Sequence, residues 1–356
     1  MVKKKLSMPI KIGLIIGALL LAVILIIIVC KCCREHYDNQ NTIFVSIASY
    51  RDKQCHGTLK DLYDKAKYPK NIRVCICDQW KEKDELCGTI KKYKDNITTL
   101  KLASTEARGP IYARALINTH YHDEKYFLMI DSHSKFDKDW DVNLISQIKE
   151  LQKKSFHPHA KYSHSLPYPR QDKDKVVITS YVKDYKDRNN DLNFQLCKTI
   201  NSSDFPAQFD SVAKRNKDKF KQQMYIAGGL CFTIGEFVCD VRFPASLAGI
   251  FNGEEIYLSL TAYCKGYDVF SQKRNCIYHN YNLDGRKQYT QDNAEQQKTL
   301  DVKSKNNLLD LLYKIKLNCT KGRTRERFWK LIGWNRKTKK IDPKVENFWC
   351  NDSPEY

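Results

Sequence analysis

The segment Tyr126-Phe127-Leu128-Met129-Ile130 runs without a break into Asp131-Ser132-His133. A short apolar run rich in aromatic and branched residues predicts a strand covered on both faces. In open α/β sheets, chemistry sits just beyond the carboxyl ends of such strands. An Asp and a His two apart in a turn there can face one crevice. A carboxylate with an imidazole is a donor pair that Mn²⁺ accepts and Mg²⁺ tolerates less well. An Asp in that place is more often a turn or capping residue, so the flanking elements decide its meaning.

Those elements alternate. Strands are expected at Thr42–Ala48, Ile72–Cys77 and Thr98–Ala103, with a helical stripe (Leu59, Leu62, Tyr63, Ala66) between the first two. Pro110 opens a helix to about His120, in the first-turn position that proline prefers, and Trp140–Lys153 reads as an amphipathic helix. The β-α-β-β-α-β-α rhythm predicts an α/β domain with a largely parallel sheet. Three of its strands end in polar clusters, Ser49/Arg51/Asp52, Asp78 and Asp131/His133, and one sheet edge collects them.

Further along, residues 154–175 are rich in His, Pro and Lys (His157, His159, His164), a composition that favours a mobile loop over a three-His metal site. Val176–Val182 is another strand. Residues 183–222 are charged with little periodicity and predict an excursion over the active face. Gly228 and Gly229 sit inside the apolar run 225–233, which signals either a bulge or a backbone approached closely by something else. Glu254 and Glu255 open a helix, where acidic residues suit the dipole, and that helix ends at Lys265-Gly266. A strand is expected at Tyr267–Ser271. From Leu308 a helix leads into a basic-aromatic run, Lys321 to Lys337, read as a helix that packs its aromatic residues and leaves a solvated basic face.

The chain has 356 residues and a formal net charge of +20. Its basic residues are spread along the whole length, so the charge implies attraction to anions without selecting one partner. Residues 12–30 are apolar throughout and, as a helix, span about 28 Å, enough for a hydrocarbon core. The run lacks the shorter core and small-residue cleavage site of a signal peptide. Lys3, Lys4, Lys5 and Lys11 precede it while only Lys31 and Arg34 closely follow, which predicts a cytosolic N-terminus. The expectation is a single-pass type II protein in the lipid bilayer, placed in the secretory pathway (Golgi or ER) with a lumenal catalytic domain. Four Asn-x-Ser/Thr sites, at Asn96, Asn201, Asn318 and Asn351, are compatible with it. Of 14 Cys, Cys30, Cys32 and Cys33 flank the anchor, and the eleven left in the domain are an odd count that allows some disulfides of undeducible pairing and at least one free thiol. The expected divisions are a cytosolic tail (1–11), an anchor (12–30), a short stem (31–41), the main domain (42–285) and a basic helical extension (286–356).

Five stretches occur in order: Ile43 to Asp52, Gly109-Pro110-Ile111-Tyr112-Ala113-Arg114, Ile130 to His133, Asn252-Gly253-Glu254-Glu255 and Tyr278-His279-Asn280-Tyr281. Together they resemble the N-acetylglucosaminyltransferases that modify hydroxyproline or Ser/Thr on polypeptides, over roughly residues 42–285. A more distant likeness is to the mucin-type polypeptide N-acetylgalactosaminyltransferases, through the Asp-x-His motif, Ala227 to Leu230 and Gly253-Glu254. The resemblance implies a GT-A (Rossmann-like) fold, a UDP-GlcNAc donor, a divalent metal (Mn²⁺ before Mg²⁺), a polypeptide or glycoprotein acceptor and retention of configuration. It places Asp131, His133 and His279 on the metal, Ser46, Ser49 and Asp78 by the uridine, with Arg51 among the donor-binding residues, and Arg114 near the diphosphate and sugar. Gly228 and Gly229 would let backbone approach the sugar, Glu254 would hold a sugar hydroxyl and Glu255 would stand near the acceptor. A transferase using another UDP-sugar, or acting on a glycan, is the alternative within enzymes. A membrane-tethered binding protein is the alternative outside them, and nucleic acid is not the expected partner.

Overall fold

The structure, a computed structural model, describes residues 41–154, 172–215, 218–282 and 285–356. The first half follows the expected alternation: β1 (Ile43–Tyr50), α1 (Cys55–Lys65), β2 (Ile72–Trp80), β3 (Ile97–Ala103), α2 (Gly109–Asn118), β4 (Tyr126–Asp131), β5 (Ser134–Phe136) and α3 (Trp140–Lys153). There follow β6 (Val176–Thr179), β7 (Leu192–Ser202), β8 (Pro206–Arg215), β9 (Gln222–Gln223), β10 (Leu230–Ile234), α4 (Phe237–Asp240), α5 (Glu254–Cys264), β11 (Asp268–Phe270) and β12 (Ile277–His279). The C-terminal part adds α6 (Tyr289–Asp292), α7 (Ala294–Tyr313), α8 (Arg325–Leu331), β13 (Trp334–Asn335), β14 (Lys340–Ile341) and α9 (Pro343–Asn347).

Eight strands form one sheet in the order β3-β2-β1-β4-β10-β6-β11-β9. β1 pairs in parallel with both β2 and β4, so the ends of all three lie side by side. The sheet is mixed: β10 runs antiparallel to both β4 and β6. Alternate residues of β1 face opposite layers, as strand geometry requires. Ile43, Val45 and Ile47 pack with Leu59, Leu62, Trp140 and Leu144 of α1 and α3. Phe44 packs in the other layer with Ile111 of α2 and with Ile256 and Leu260 of α5. Each fully buried large apolar side chain contributes roughly 1.5–3 kcal/mol, so the two faces hold the sheet's plane firmly.

The expected extension (286–356) shares this core. Leu308, Leu312, Phe328, Trp334, Phe348 and Trp349 belong to the same buried cluster as Phe44. The Cys264–Cys319 and Cys197–Cys350 disulfides tie it to α5 and β7, and Cys55–Cys87 links α1 to the loop after β2. Five cysteines stay free, four of them buried, in agreement with the odd count. The basic-aromatic run packs its rings: Phe328 is fully buried, and Arg323 is buried in an ion pair with Asp268 at 2.6 Å. Its helix α7 begins at Ala294, well before Leu308.

The localisation expected from the anchor is corrected: no helix among the described residues is long and apolar enough to cross a membrane. The run 12–30 lies outside the described residues, as do His157, His159 and His164. The type II topology and lumenal placement are accordingly not retained. One of the four acceptor asparagines is also engaged, because Asn96 Nδ2 donates to the carbonyls of Lys70 and Ile72 at 3.0 and 2.9 Å.

Candidate active site

β4 ends at Asp131, and the chain turns through Ser132 and His133 straight into β5. The turn is pinned from α1: Thr58 Oγ1 donates to the Ser132 carbonyl at 2.8 Å, and the Ser134 amide donates to Thr58 Oγ1 at 2.9 Å. β5 then pairs antiparallel with β12, which sets His279 opposite Ser134. The Asn280 amide donates to the His133 carbonyl at 3.0 Å, and the His279 amide to the Lys183 carbonyl at 2.9 Å. This short ribbon brings together side chains far apart in sequence. His279 Nε2 lies 3.2 Å from Asp131 Oδ2 and 2.8 Å from His133 Nε2.

The candidate ligand atoms of Asp131, His133 and His279 all fall within 4.8 Å of one another. One carboxylate oxygen and two imidazole nitrogens converging on a point form a donor set that fits a borderline divalent cation. Burial alone would raise the Asp131 carboxyl, but the hydrogen bond from His279 and the charges of His133, His279 and Arg114 outweigh it. The carboxyl is held well below its ordinary range and stays ionised, as a metal ligand must.

Beside this cluster opens a cleft of about 360 Å³, lined by Arg114, Asp131, Gly228, Gly229, Glu254, Glu255 and His279 among others. Arg114, from α2, is buried and ion-paired with Glu254 at the start of α5. Its Nη2 donates to the Gly228 carbonyl at 2.8 Å and lies 3.7 Å from Asp131 Oδ1. At Gly229 a Cβ would stand 2.9 Å from Asp131 Oδ2, so a larger residue would displace that carboxylate. The glycine pair thus precedes β10 rather than bulging within it, and the close approach is between its backbone and the acidic groups. Gly253 has φ 113°, and a Cβ would meet Leu308 and Phe205, so only glycine turns the chain into α5 here.

Glu255 accepts from the Gly228 amide and from Tyr181 Oη, both at 2.9 Å. Burial nevertheless pushes its carboxyl up to about 7. The native state therefore holds this proton more tightly than the unfolded chain, whose glutamate titrates near 4.5. The protonated group's contribution is complete below the unfolded value and is lost as pH rises through about 7. Between the two values it lowers stability by roughly 1.4 kcal/mol per pH unit. Glu255→Gln is expected to be less pH-sensitive than the parent by that slope in denaturant unfolding from pH 5 to 7.5. Parallel stability curves for the two proteins would exclude the raised carboxyl.

Seven of the residues expected in the site line the cleft: Arg114, Asp131, Gly228, Gly229, Glu254, Glu255 and His279. His133 joins them through His279. The other four lie apart. Ser46 and Ser49 are fully buried and, three apart on β1, point to opposite faces of the sheet. Asp78 is buried and accepts from the Cys87 amide at 2.7 Å. Arg51 is engaged by Asp84 and Asp292, each at 2.7 Å, so its guanidinium clamps the loop after β2 to α6. None of these four is on the cleft wall. Sequence reasoning did not single out Tyr181, Ile200 or Phe251, which do line it. Tyr181 carries no local signal. Ile200 and Phe251 become visible only as exposed apolar side chains once the fold is known.

A family model described as Glycosyltransferase (GlcNAc) matches residues 42–96 and 88–344. The chain belongs to this family, and it is a glycosyltransferase. No curated protein matches it. Among solved structures it is similar to GalNAc-T7 with UDP, GalNAc and Mn²⁺, with TM-score 0.48 and 15% identity over 68% of this chain and 44% of that one. It thus spans less than half the length of that relative. It is also similar to S. aureus TarS 1-349 (TM-score 0.41, 13% identity, 87% of this chain and 81% of that one). The same TarS fragment in complex with UDP-GlcNAc gives TM-score 0.43 and 14% identity over 85% of this chain and 82% of that one.

Proposed function

We propose that the protein transfers N-acetylglucosamine from UDP-GlcNAc to a hydroxyl of a polypeptide, hydroxyproline or Ser/Thr, with retention of configuration. A divalent cation, Mn²⁺ in preference to Mg²⁺, would be held by Asp131, His133 and His279. The observation that carries this reading is the convergence of those three side chains at the wall of a cleft that also holds Arg114 and the Glu254/Glu255 pair. Bound there, the cation would supply Lewis-acid neutralisation of the diphosphate as it leaves. Arg114 adds a fixed positive group beside it, already oriented by Glu254 and the Gly228 carbonyl. Gly228 and Gly229, on the cleft wall, would let backbone approach the sugar. Glu254 would accept from a sugar hydroxyl, and Glu255 would face the acceptor. In a retaining front-face route the departing phosphate takes the acceptor's proton, so no buried base is needed.

An apolar lip supports the acceptor assignment. Of five exposed large hydrophobic residues among those described, Ile200, Phe251 and Tyr281 border this cleft. Ile200 falls between the pairs Thr199↔Phe209 and Asn201↔Gln208, where a bulge leaves it without a partner and turns it to the cleft mouth. Such a lip suits an apolar side chain or prolyl ring next to the reacting hydroxyl. Phe251→Ala is expected to raise the acceptor KM by about 10-fold with little change in kcat or in hydrolysis of donor alone. An unaltered acceptor KM would remove the lip from the acceptor site.

The deciding experiment is turnover of a panel of UDP-sugars with Mn²⁺, repeated with EDTA. Metal-dependent release of UDP from UDP-GlcNAc alone supports the proposal. Preference for UDP-GalNAc, UDP-Glc or UDP-Gal would overturn the donor, and turnover surviving EDTA would overturn the cation.

A further inference from the structure

Arg51 closes β1 in the left-handed region, with φ 47°, and so turns the chain sharply at the sheet edge. The turn sets the Asp52 carboxylate under the Asp131–His133 turn, where it is 4% exposed. Its place is fixed from several sides. The Gln54 amide donates to Oδ1 at 2.9 Å, and Ser132 Oγ donates to Oδ2 at 2.7 Å. The Asp52 carbonyl accepts from the amide of Cys55, a residue bridged to Cys87. The remaining contact is His133 Nδ1, 2.7 Å from Oδ2.

An ionised carboxylate only accepts, so Nδ1 of His133 carries a proton, which makes Nε2 the nitrogen that offers its lone pair to a bound cation. That Nε2 is the nitrogen 2.8 Å from His279 Nε2 in the ligand group. Among the described residues His279 has no equivalent support, since its Nδ1 is buried without a partner there. Its ring is held by the β5–β12 ribbon and by Tyr281, whose ring centroid is 4.1 Å away.

We propose that Asp52 is the positioning residue of the cation site: it selects the tautomer and ring orientation of His133, so that Nε2 is presented ready to ligate. This rests on the cation reading of the cleft. Asp52 is not itself a ligand, because its carboxylate lies on the far side of the imidazole. Carboxylates in this relation to a ligating histidine typically raise metal affinity by about 10–100-fold.

The test is Mn²⁺ binding to the full chain, followed by the electron paramagnetic resonance signal of the free ion. Asp52→Ala is expected to weaken binding by about 10–100-fold. Asp52→Asn, which keeps an accepting oxygen and loses the charge, should fall between this variant and the parent. Ser132→Ala removes the neighbouring bond to the same oxygen and should bind Mn²⁺ within about 3-fold of the parent. Parent-like binding by Asp52→Ala, or equal losses in Asp52→Ala and Ser132→Ala, would overturn the assignment. A parent that binds no Mn²⁺ would overturn the cation reading itself, which separates the two failures. Should Asp52→Ala not fold, the imidazole ¹⁵N spectrum of the metal-free parent decides: His133 protonated on Nδ1 is expected, and protonation on Nε2 overturns the proposal.

Discussion

Asp131→Ala is expected to abolish turnover, by at least ~1000-fold, and to weaken Mn²⁺ binding by more than about 100-fold, while the chain still folds. The asymmetry follows from what each part of the residue does. Its main chain is built into the sheet through the Ala48↔Asp131 pairing, and its carbonyl accepts from Ser134 Oγ at 2.8 Å. Alanine preserves both. The carboxylate is the anionic member of the proposed ligand set and sits 3.7 Å from Arg114. Without it only two imidazoles, which bring no negative charge, remain to hold a dication. Turnover, metal titration and a thermal melt on one preparation separate these parts. Activity within 10-fold of the parent would refute the ligand role, whatever the melt shows.

Arg114→Ala should damage both stability and activity. Arg114 is 3% exposed, and it pairs with Glu254, itself 4% exposed. Removing one partner of a buried pair costs about 3–5 kcal/mol, because the other is left uncompensated. For a chain of this size that is a fall in Tm of roughly 4–7 °C. Burial already pushes the Glu254 carboxyl up against the opposing pull of Arg114, so loss of the cation drives it further towards the neutral acid. Turnover should drop by at least ~100-fold even below the new Tm, because the proposed neutralisation of the leaving diphosphate is lost. The double variant Arg114→Met/Glu254→Met should regain much of the stability and none of the activity. A melt of Arg114→Ala matching the parent's would show that the pair contributes no compensation.

Part of the candidate site is legible in the sequence because strand ends announce themselves. The apolar run of β4 stops at Asp131, and β1 and β2 stop at similar polar residues, so a shared edge follows from the parallel alternation alone. Trp140–Lys153 appears as a helix with its full periodicity. What is not legible depends on pairing at long range. Nothing in Ile277-Tyr278-His279 says that it lies antiparallel to β5, and only that ribbon carries His279 to the cluster; its place there came from family resemblance. The direction of β10 is likewise invisible, since a buried apolar strand reads the same either way. The hairpin of β7 and β8 escaped because register shifts after Leu196, Thr199 and Asn201 break the two-residue period that marks a strand. Ser46 and Ser49 look alike in sequence, yet their odd separation sends them to opposite layers. Arg51 closes a strand in the sequence, but its acidic partners lie 33 and 241 positions away and cannot be read locally.

The ribbon of β5 and β12 also has a temporal consequence. A chain emerging from the ribosome can lay down β1 to β4, with Asp131 and His133 in their turn, long before His279 exists. The cleft then lacks its last candidate ligand, its Glu254/Glu255 wall and the C-terminal segment whose side chains complete one layer of the core. On the proposed cation reading, ion capture of full strength is an end-of-synthesis event and affinity for the cation a readout of completed folding: nascent or truncated chains ending before residue 279 should grip it poorly, however native their first sheet.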